Sequence, residues 1–526
     1  MPKIAIYDTT LRDGTQGEGV SFSAEEKLKV ARKLDDFGVA YIEGGWPGSN
    51  PKDVEFFRLA KGVQFKNAKL AAFGRTRSPK LAAKDDPLMV KLIDAGTPVV
   101  AIFGKSWDMH VTEVFHISLE QNLEMIRDSI EFLVENGKEA IFDAEHFFDG
   151  YANNREYALA TLEAAVRGGA STLSLCDTNG GALPSEVGEI VRDVAGRFPG
   201  ITAAMHAHND SGLAVANSIA AVQNGATQVQ GTINGYGERC GNANTCAIIA
   251  ILELKLGHNC VPDGALKDLT ALSRWVDEIA NRIPVDTLPF VGASAFAHKA
   301  GVHVDAVTKN PATYEHIDPE SVGNRRRILI SELAGSSSVV QKARKYEIDL
   351  SKQSPEVKAV LDRVVQLEHE GYSFEDAEAS FELLLKKAMG QYSKLFDLVG
   401  FRIIVEKRGP GEEPITEATL KVAVDGVEAF TVAEGDGPVH ALDNALRLAL
   451  KQFYGAELAK IKLSDYKVRV VNSGEGTAAK VRAIIESRDA TDSWSTVGVS
   501  TNIIEASWSA LADSVEYGLL KHVGEK

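Results

Sequence analysis

Short apolar runs alternate with longer amphipathic stretches along roughly the first half of the chain, and this alternation predicts a parallel β-sheet with helical crossovers. Eight runs have the length and composition of buried strands, at residues 4–8, 39–43, 70–73, 99–103, 140–144, 172–176, 202–206 and 228–233. Their starting points are roughly 25 to 40 residues apart, which leaves room for one helix between successive strands. Eight consecutive strand–helix units predict a (β/α)8 TIM barrel over residues 1–265, with an open doubly wound sheet as the alternative.

Polar residues at the ends of the predicted strands favour the barrel. They fall at or directly after the carboxyl ends of the apolar runs, and they are Arg12, Asp13, Glu43, Arg75, Glu145, Asp177, Thr178, His206, His208 and Asn234. A closed barrel brings all eight strand ends to one mouth, whereas an open sheet spreads them along an edge. Polar groups distributed over so many strands can act together only in the barrel.

The pattern changes after the predicted barrel. Residues 266–395 are expected to be mostly helical and to form a linker region. Within the remaining segment, 396–526, strand-like runs precede two amphipathic helices, and these runs lie at 418–424, 466–471 and 479–487. This order predicts a C-terminal α+β domain in which a strand-then-helix unit occurs twice.

Composition places the chain among globular proteins and excludes several functions. Of its 526 residues 44% are hydrophobic and 25% are charged, which is enough for a core and excludes disorder over the whole length. No apolar run reaches the ~20 residues of a membrane span. The net charge of −16 argues against nucleic acid as the main partner, because nucleic-acid binding requires a basic surface. The four cysteines lack the spacing of a disulfide framework and no secretion signal is visible, so we expect a cytoplasmic protein.

The pair His206-Ala-His208 is the strongest chemical signal in the sequence. Alternate residues of a strand point to the same face, so both imidazoles can bind one ion. Asp13, after the first predicted strand, and Asn242, after the eighth, can add oxygen ligands at the same mouth. Two imidazoles and a carboxylate leave coordination positions open for a substrate. They therefore predict a catalytic site for a divalent metal ion, which can be Mg, Mn or Zn.

Two further charged residues at the predicted mouth have both a structural and a catalytic interpretation. Arg12 can form a salt bridge within the mouth, or it can hold a substrate carboxylate and stabilise an enolate oxygen. Glu145, after the fifth strand, is either a loop residue or a binding and proton-transfer group, and its position favours the second interpretation. The glycines that follow the second strand form no nucleotide-binding motif, and the tripeptide that surrounds a biotinyl lysine is absent.

Longer segments contain these residues, namely DTTLRDG at 8–14, HAHNDSGLA at 206–214 and GYGERCGN at 235–242. Together with HKAGVH at 298–303, they resemble the 2-isopropylmalate and homocitrate synthase family of metal-dependent, Claisen-condensing TIM-barrel enzymes. The resemblance extends over the whole chain and includes a C-terminal part similar to the allosteric domain of that family. The segment IEGGWPGSNPKD at 42–53 is most similar to the members that use pyruvate.

The resemblance implies a role for each matching residue at the barrel mouth. It assigns the divalent metal to four residues, Asp13, His206, His208 and Asn242. Arg12 would stabilise the developing enolate, and Thr178 would form a hydrogen bond to the carboxylate of a 2-oxo acid. Glu145 would lie close to both substrates, acetyl-CoA and the oxo acid.

The resemblance also assigns residues beyond the barrel. His303 would be the base that removes a proton from the methyl group of acetyl-CoA, with Asp305 and Tyr314 as supporting polar groups. In this family the linker reaches over the mouth of the partner subunit, so the resemblance implies an obligatory homodimer. The C-terminal allosteric domain would bind the end product of the pathway. For a pyruvate-using enzyme this product is isoleucine, which is therefore a possible inhibitor.

The resemblance thus predicts an acyltransferase that condenses acetyl-CoA with pyruvate and releases CoA, on the pathway to isoleucine. One alternative keeps this chemistry but uses the bulkier 2-oxoisovalerate for leucine biosynthesis. Asp143 lies at a position that lines the side-chain pocket in relatives, and an acidic residue there argues against a small apolar pocket and so against pyruvate. A second alternative is a non-catalytic amino-acid sensor that retains the barrel. It is disfavoured because the chain keeps the whole metal site and the base, namely Arg12, Asp13, His206, His208 and His303.

Overall fold

A computed structural model describes residues 3–330, 336–345, 351, 354–375, 377–471 and 478–523 of the chain. The first part is a closed barrel of eight parallel strands in sequential order, which confirms the predicted TIM barrel. The strands are β1 (Ala5–Asp8), β2 (Tyr41–Gly45), β3 (Lys69–Arg75), β4 (Val99–Lys105), β5 (Glu139–Glu145), β6 (Thr172–Asp177), β7 (Thr202–Ala207) and β8 (Gln228–Gly231). The barrel closes where β8 pairs with β1, with Ala5 opposite Gln228 and Asp8 opposite Gly231.

Helices alternate with the strands and pack their apolar faces against the outside of the barrel. They are α1 (Ala24–Phe37), α2 (Pro51–Ala60), α3 (Pro87–Asp94), α4 (Leu119–Glu135), α5 (Phe147–Asn153), α6 (Arg155–Gly168), α7 (Pro184–Arg197), α8 (Ala214–Gln223), α9 (Thr245–Leu254) and α10 (Leu269–Ile279). Helix α1 begins with a capping box, in which the side chains of Ser23 and Glu26 each accept a hydrogen bond from the other's backbone N–H. It ends at Gly38, whose φ of 97° allows the left-handed turn towards β2.

The interior of the barrel divides into an apolar part and a polar part. Alternate strand residues point inward, and an inner apolar cluster consists of Tyr7, Ala71, Phe73, Val99, Ala101 and Ile141. Other inward positions, mostly on β5 to β8, are polar and buried, and they include Glu43, Asp143, Ser174, His206, Gln228 and Gln230. Polar groups are retained in an interior where they bond to one another or serve a function. The polar part is therefore where the candidate site is expected.

The described chain forms two compact units. The first comprises the chain up to Phe296 together with His316–Arg325, and the second comprises Ala297–Glu315 together with the chain from Arg326 onward. The predicted domain boundaries, 1–265, 266–395 and 396–526, concern family domains rather than compact units and stay a prediction.

The second unit consists of helices and small sheets. Its helices are α11 (Gly301–Lys309), α12 (Ser336–Lys345), α13 (Pro355–Glu370), α14 (Glu378–Ala388), α15 (Pro438–Leu458) and α16 (Ile503–Val523). Its strands are the short parallel pair β9 (Ala297–His298) and β10 (Arg327–Ile328), followed by β11 (Asp397–Glu406), β12 (Ile415–Val424), β13 (Val427–Gly435), β14 (Lys462–Val470), β15 (Val481–Arg488) and β16 (Ser493–Ser500).

The C-terminal region contains the same arrangement twice. Strands β11 to β13 form a three-stranded antiparallel sheet followed by α15, and β14 to β16 form a second sheet followed by α16. The two sheet-and-helix repeats bury apolar side chains in one shared core, among them Leu420, Leu446, Ile485 and Leu511. The sheets contain three strands more than the apolar pattern predicts, β11, β13 and β16. Among the described residues, none of the helices combines the length and the apolar character that a membrane crossing requires.

A buried ion pair fixes the loop that follows β2. Lys27 of α1 is 1% exposed, and its ammonium group pairs with Asp53 and donates to the carbonyl of Gly44 at 3.1 Å. Lys27→Met leaves the Asp53 carboxylate buried without its cation, so we expect the free energy of unfolding to fall by about 3–5 kcal/mol. Urea titration followed by circular dichroism measures the loss, with the exposed Lys29→Met on the same helix as the control. An unchanged midpoint would show that the pair contributes no stability.

Candidate metal and active site

The turn after β1 places two charged residues at the carboxyl end of the barrel. Asp8, the last residue of β1, accepts hydrogen bonds from the backbone N–H and from the hydroxyl of Thr10, each at 3.0 Å. Thr10 in turn accepts from the backbone N–H of Ile233, after β8, at 2.8 Å. The turn is therefore attached to both strands that close the barrel, and Arg12 and Asp13 follow it.

The structure places Asp13 beside His206 of β7 and His208. The Nε2 atom of His206 lies 3.3 Å from Oδ2 of Asp13 and 3.4 Å from Nε2 of His208. All three residues are buried, with exposures of 2%, 5% and 7% for Asp13, His206 and His208. One potential ligand atom from each lies within 4.8 Å of the others, a spacing that one metal ion can bridge.

Unpartnered polar atoms around this cluster fit a divalent cation. Among the described residues, the buried Oδ1 atoms of Asp13 and Asn242 have no hydrogen-bond partner. The amide nitrogen of Asn242 donates to the carbonyl of Tyr236 at 3.0 Å, so its oxygen remains as an acceptor. A buried acceptor without a donor is costly, and a bound cation removes that cost. Carboxylate, imidazole and amide donors together suit Mg, Mn or Zn.

Burial and neighbouring charges set the protonation states of Asp13 and His208. Burial alone would raise the pKa of Asp13, but the Arg12 guanidinium and His206 hold the pKa of that carboxyl well below its usual range. Burial and the neighbouring His206 lower the pKa of His208 to about 4. At neutral pH the cluster therefore presents an ionised carboxylate and a neutral imidazole at His208, which are the forms that bind metal.

Arg12 lies between the carboxylate of Glu43, the ring of Phe73 and the candidate metal ligand Asp13. Its Nε atom donates to Oε1 of Glu43 at 2.5 Å, and its Nη1 atom lies 3.2 Å from Oδ2 of Asp13. Its guanidinium carbon lies 3.8 Å from the centre of the Phe73 ring. Glu43 is fully buried and also accepts from the hydroxyl of Tyr7 at 2.8 Å. A fixed guanidinium beside metal ligands is suited to stabilise negative charge on a substrate oxygen.

Glu145 and Thr178 follow the neighbouring strands β5 and β6. Glu145 ends β5 and pairs with Lys105 at the end of β4, and 23% of its side chain is exposed. The hydroxyl oxygen of Thr178 accepts a hydrogen bond from the backbone N–H of His146 at 2.8 Å. Both residues are partly exposed at the barrel mouth, where a small molecule can reach them.

His303, Asp305 and Tyr314 lie in the second unit. The rings of His303, in α11, and Tyr314 are 4.2 Å apart between centroids, and both residues are exposed. Asp305 pairs with Lys309 at 2.7 Å and accepts from the hydroxyl of Ser337 at 2.9 Å. The segment therefore presents an imidazole and a phenol side by side, and their part in catalysis stays a prediction.

Sequence reasoning does not single out three residues of this region, Tyr7, Lys105 and Gln230. The side chain of Gln230 lies between two others, with Oε1 2.9 Å from Nδ1 of His206 and Nε2 3.2 Å from Oδ1 of Asp143. Burial and the nearby Glu43 raise the pKa of Asp143 to about 6. The two-residue period of the strands is the signal that could have found such residues, because it predicts which side chains point inward.

Comparison with known proteins gives the class that this fold and site define. The sequence model of the HMGL-like family matches residues 3–276, that of the homocitrate synthase post-HMGL domain-like family matches 290–371, and that of the LeuA allosteric (dimerisation) domain matches 375–519. The chain belongs to the HMGL-like family, and the resemblance to acetyl-CoA-dependent condensing synthases is confirmed.

Full-length relatives narrow this class. The (R)-citramalate synthase of Aquifex aeolicus is 55% identical over 99% of this chain and 98% of its own length. That of Geobacter sulfurreducens is 53% identical over the same shares, 99% and 98%. A probable 2-isopropylmalate synthase of Methanopyrus kandleri is 32% identical over 98% of each chain. Within the family, the chain is thus much more similar to these (R)-citramalate synthases than to the 2-isopropylmalate synthase.

Removal of the cluster's carboxylate tests the metal site. We expect the chelator-stripped protein to bind Mn²⁺, and Asp13→Asn to weaken this binding by more than about 100-fold, beyond the loss typical of an outer-shell residue. Electron paramagnetic resonance of free Mn²⁺ measures the affinity. Asp210→Asn, an exposed aspartate two residues after His208, is the control and should bind normally. Activity should disappear with the metal and return with it, so full activity of metal-free protein would contradict the assignment.

Proposed function

We propose that the protein catalyses the condensation of acetyl-CoA with pyruvate and water to give (R)-citramalate and CoA, on the route to isoleucine. The observation that carries this proposal is the similarity of the chain to five (R)-citramalate synthases, at 46–55% identity. Each alignment covers 98% or 99% of this chain, so the similarity includes both the barrel and the C-terminal region.

The reaction makes a carbon nucleophile from a weak acid. A base removes a proton from the methyl group of acetyl-CoA, and the enolate attacks the keto carbon of pyruvate, whose oxygen takes up a proton. Water then hydrolyses the thioester, which releases CoA as the thiol and leaves a second carboxylate. The site must therefore supply a positioned base and must stabilise negative charge on oxygen.

Asp13, His206 and His208, with the amide oxygen of Asn242, would hold a divalent cation. When bound, the cation supplies Lewis-acid polarisation of the oxo acid. The small number of protein ligands leaves coordination positions open, which supports a catalytic rather than a structural role. The unpartnered oxygens of Asp13 and Asn242 support the same assignment.

Arg12, Thr178 and Glu145 would bind the organic substrates. Arg12 would stabilise negative charge on the enolate oxygen, because Glu43 orients its guanidinium before any substrate is present. Thr178 would donate its hydroxyl hydrogen to the carboxylate of the oxo acid, since its oxygen already accepts from the backbone of His146. Glu145 would lie beside both substrates, held by its ion pair at the mouth.

Aromatic residues beside Arg12 support a small 2-oxo acid. The ring of Phe73, next to the guanidinium, is 5.6 Å from that of Phe103 and 6.0 Å from that of Trp46 between centroids. An oxo acid held by Arg12 would place its side chain near these rings, where the extra methyl groups of a branched side chain would require repacking. Asp143 is hydrogen-bonded within the barrel, so its carboxylate does not argue against an apolar pocket for the methyl group of pyruvate.

His303 would act as the base towards acetyl-CoA, with Tyr314 and Asp305 as supporting polar groups. The adjacent imidazole and phenol rings support this assignment. The match to the LeuA allosteric (dimerisation) domain supports a homodimer, in which the linker of one chain would complete the site of its partner. The same domain would bind isoleucine as an inhibitor, which a titration of isoleucine into the activity assay measures.

The choice of 2-oxo acid tests the proposed function. With Mn²⁺ or Mg²⁺ present, we expect release of free thiol from acetyl-CoA to be fastest with pyruvate. With 2-oxoisovalerate it should be at least about 10-fold slower, because extra methyl groups change binding by about 1–3 kcal/mol each. A preference for 2-oxoisovalerate would instead indicate leucine biosynthesis. Isoleucine binding without turnover of any 2-oxo acid would identify an amino-acid sensor.

Replacement of the proposed base gives a second test. We expect His303→Ala to lower turnover by about 10²–10⁴-fold, the usual contribution of a general base, while Mn²⁺ binding stays unchanged. His369→Ala, an exposed histidine of α13 in the same unit, is the matched control and should retain full activity. A turnover number of His303→Ala close to that of the wild type would remove this residue from the mechanism.

A further inference from the structure

Gln230 connects the candidate metal ligand His206 to Asp143 inside the barrel. Its side chain is fully buried, with Oε1 2.9 Å from Nδ1 of His206 and Nε2 donating to Oδ1 of Asp143 at 3.2 Å. Asp143 is itself 3% exposed. In the pairing of β7 with β8, His206 lies directly opposite Gln230, so the backbone register holds the two side chains together.

The hydrogen-bond donors and acceptors of His206, Gln230 and Asp143 can be assigned in only one way. An ionised carboxylate accepts and does not donate, so Asp143 requires the NH₂ group of Gln230 to face it. The amide oxygen of Gln230 then faces His206 and requires a hydrogen on Nδ1 of that imidazole. The lone pair of the neutral ring is therefore on Nε2, the nitrogen that lies 3.3 Å from Asp13 and 3.4 Å from His208.

Fixing this tautomer matters for metal binding. A neutral imidazole exists as two tautomers, and only the one with a bare Nε2 can bind a cation at this cluster. Outer-shell partners that orient a histidine ligand contribute about 10–100-fold to metal affinity. A glutamine performs this task without adding a further charge to an interior that already buries Asp13, Glu43 and Asp143.

We propose that Gln230, oriented by Asp143, is a positioning residue that fixes the tautomer and the ring orientation of His206 for metal binding. The inference rests on the proposed metal site and adds two residues that act through His206. Neither Gln230 nor Asp143 touches the metal or the substrates in this assignment.

The Mn²⁺ affinity of the chelator-stripped, full-length protein tests the inference. Gln230→Met removes the acceptor at similar volume, and we expect it to weaken Mn²⁺ binding by about 10–100-fold. Gln228→Met is the matched control, because Gln228 is 1% exposed and lies two residues earlier on the same face of β8. The control should bind Mn²⁺ as tightly as the wild type.

An exchange of the two groups gives a readout that loss of packing cannot produce. In the double variant Asp143→Asn with Gln230→Glu, the amide donates to the new carboxylate, and the carboxylate accepts from His206. The hydrogen bond from Nδ1 of His206 to residue 230 keeps its direction, whereas the bond between residues 143 and 230 is reversed, and a carboxylate partner makes the imidazole more basic. We therefore expect the double variant to bind Mn²⁺ at least as tightly as the wild type, and this comparison decides the matter if Gln230→Met does not fold.

Equal Mn²⁺ affinity of Gln230→Met and the wild type would overturn the inference, as would weak binding by a folded double variant. Failure of the wild-type protein to bind Mn²⁺ would instead refute the metal site itself, so the two failures are distinguishable.

Discussion

The pairing of β1 with β8 is the constraint on which the candidate site depends. It sets Ala5 opposite Gln228 and fixes the turn that carries Asp13 beside the last strand of the barrel. On its other side, β8 pairs with β7, which brings His206 opposite Gln230. A shift of one residue in this register would turn the inward side chains of β8 outward and separate Gln230 from His206. The chemistry at the mouth therefore depends on strand register as much as on the identity of the ligands.

The barrel interior carries a charge that suits the ion it is proposed to hold. Three buried carboxylates, Asp13, Glu43 and Asp143, lie around the partly buried guanidinium of Arg12. A divalent cation balances the remaining negative charge. Burial raises the pKa of the Asp8 carboxyl to about 7, so at neutral pH this residue contributes only part of a negative charge. The same groups that would be costly in an empty interior thus become complementary to a bound metal.

Most of the barrel could be predicted because its strands are short, apolar and regularly spaced. The strand predicted at 39–43 lies two residues later, as β2, because its last two residues, Gly44 and Gly45, carry a turn signal although they are buried in the sheet. The strands β11 and β13 escaped prediction because most of their side chains are exposed, Phe430 among them, and because apolar and polar residues do not alternate regularly along their sequences. Of the candidate site, the two histidines and Asp13 could be predicted from spacing and strand ends. The link from Gln230 to Asp143 could not, because it joins side chains 87 residues apart in the chain and depends on register alone.

Closure of the barrel also determines how much of the chain must be synthesised before the candidate site can form. The hydrogen bond between the hydroxyl of Thr9 and the carbonyl of Gly231 spans 222 residues, and contacts of such separation form late because a long loop must first be closed. The four candidate ligands, Asp13, His206, His208 and Asn242, cannot all be present until the chain has been synthesised beyond β8. Closure of the barrel and completion of the candidate site therefore depend on the same late contacts.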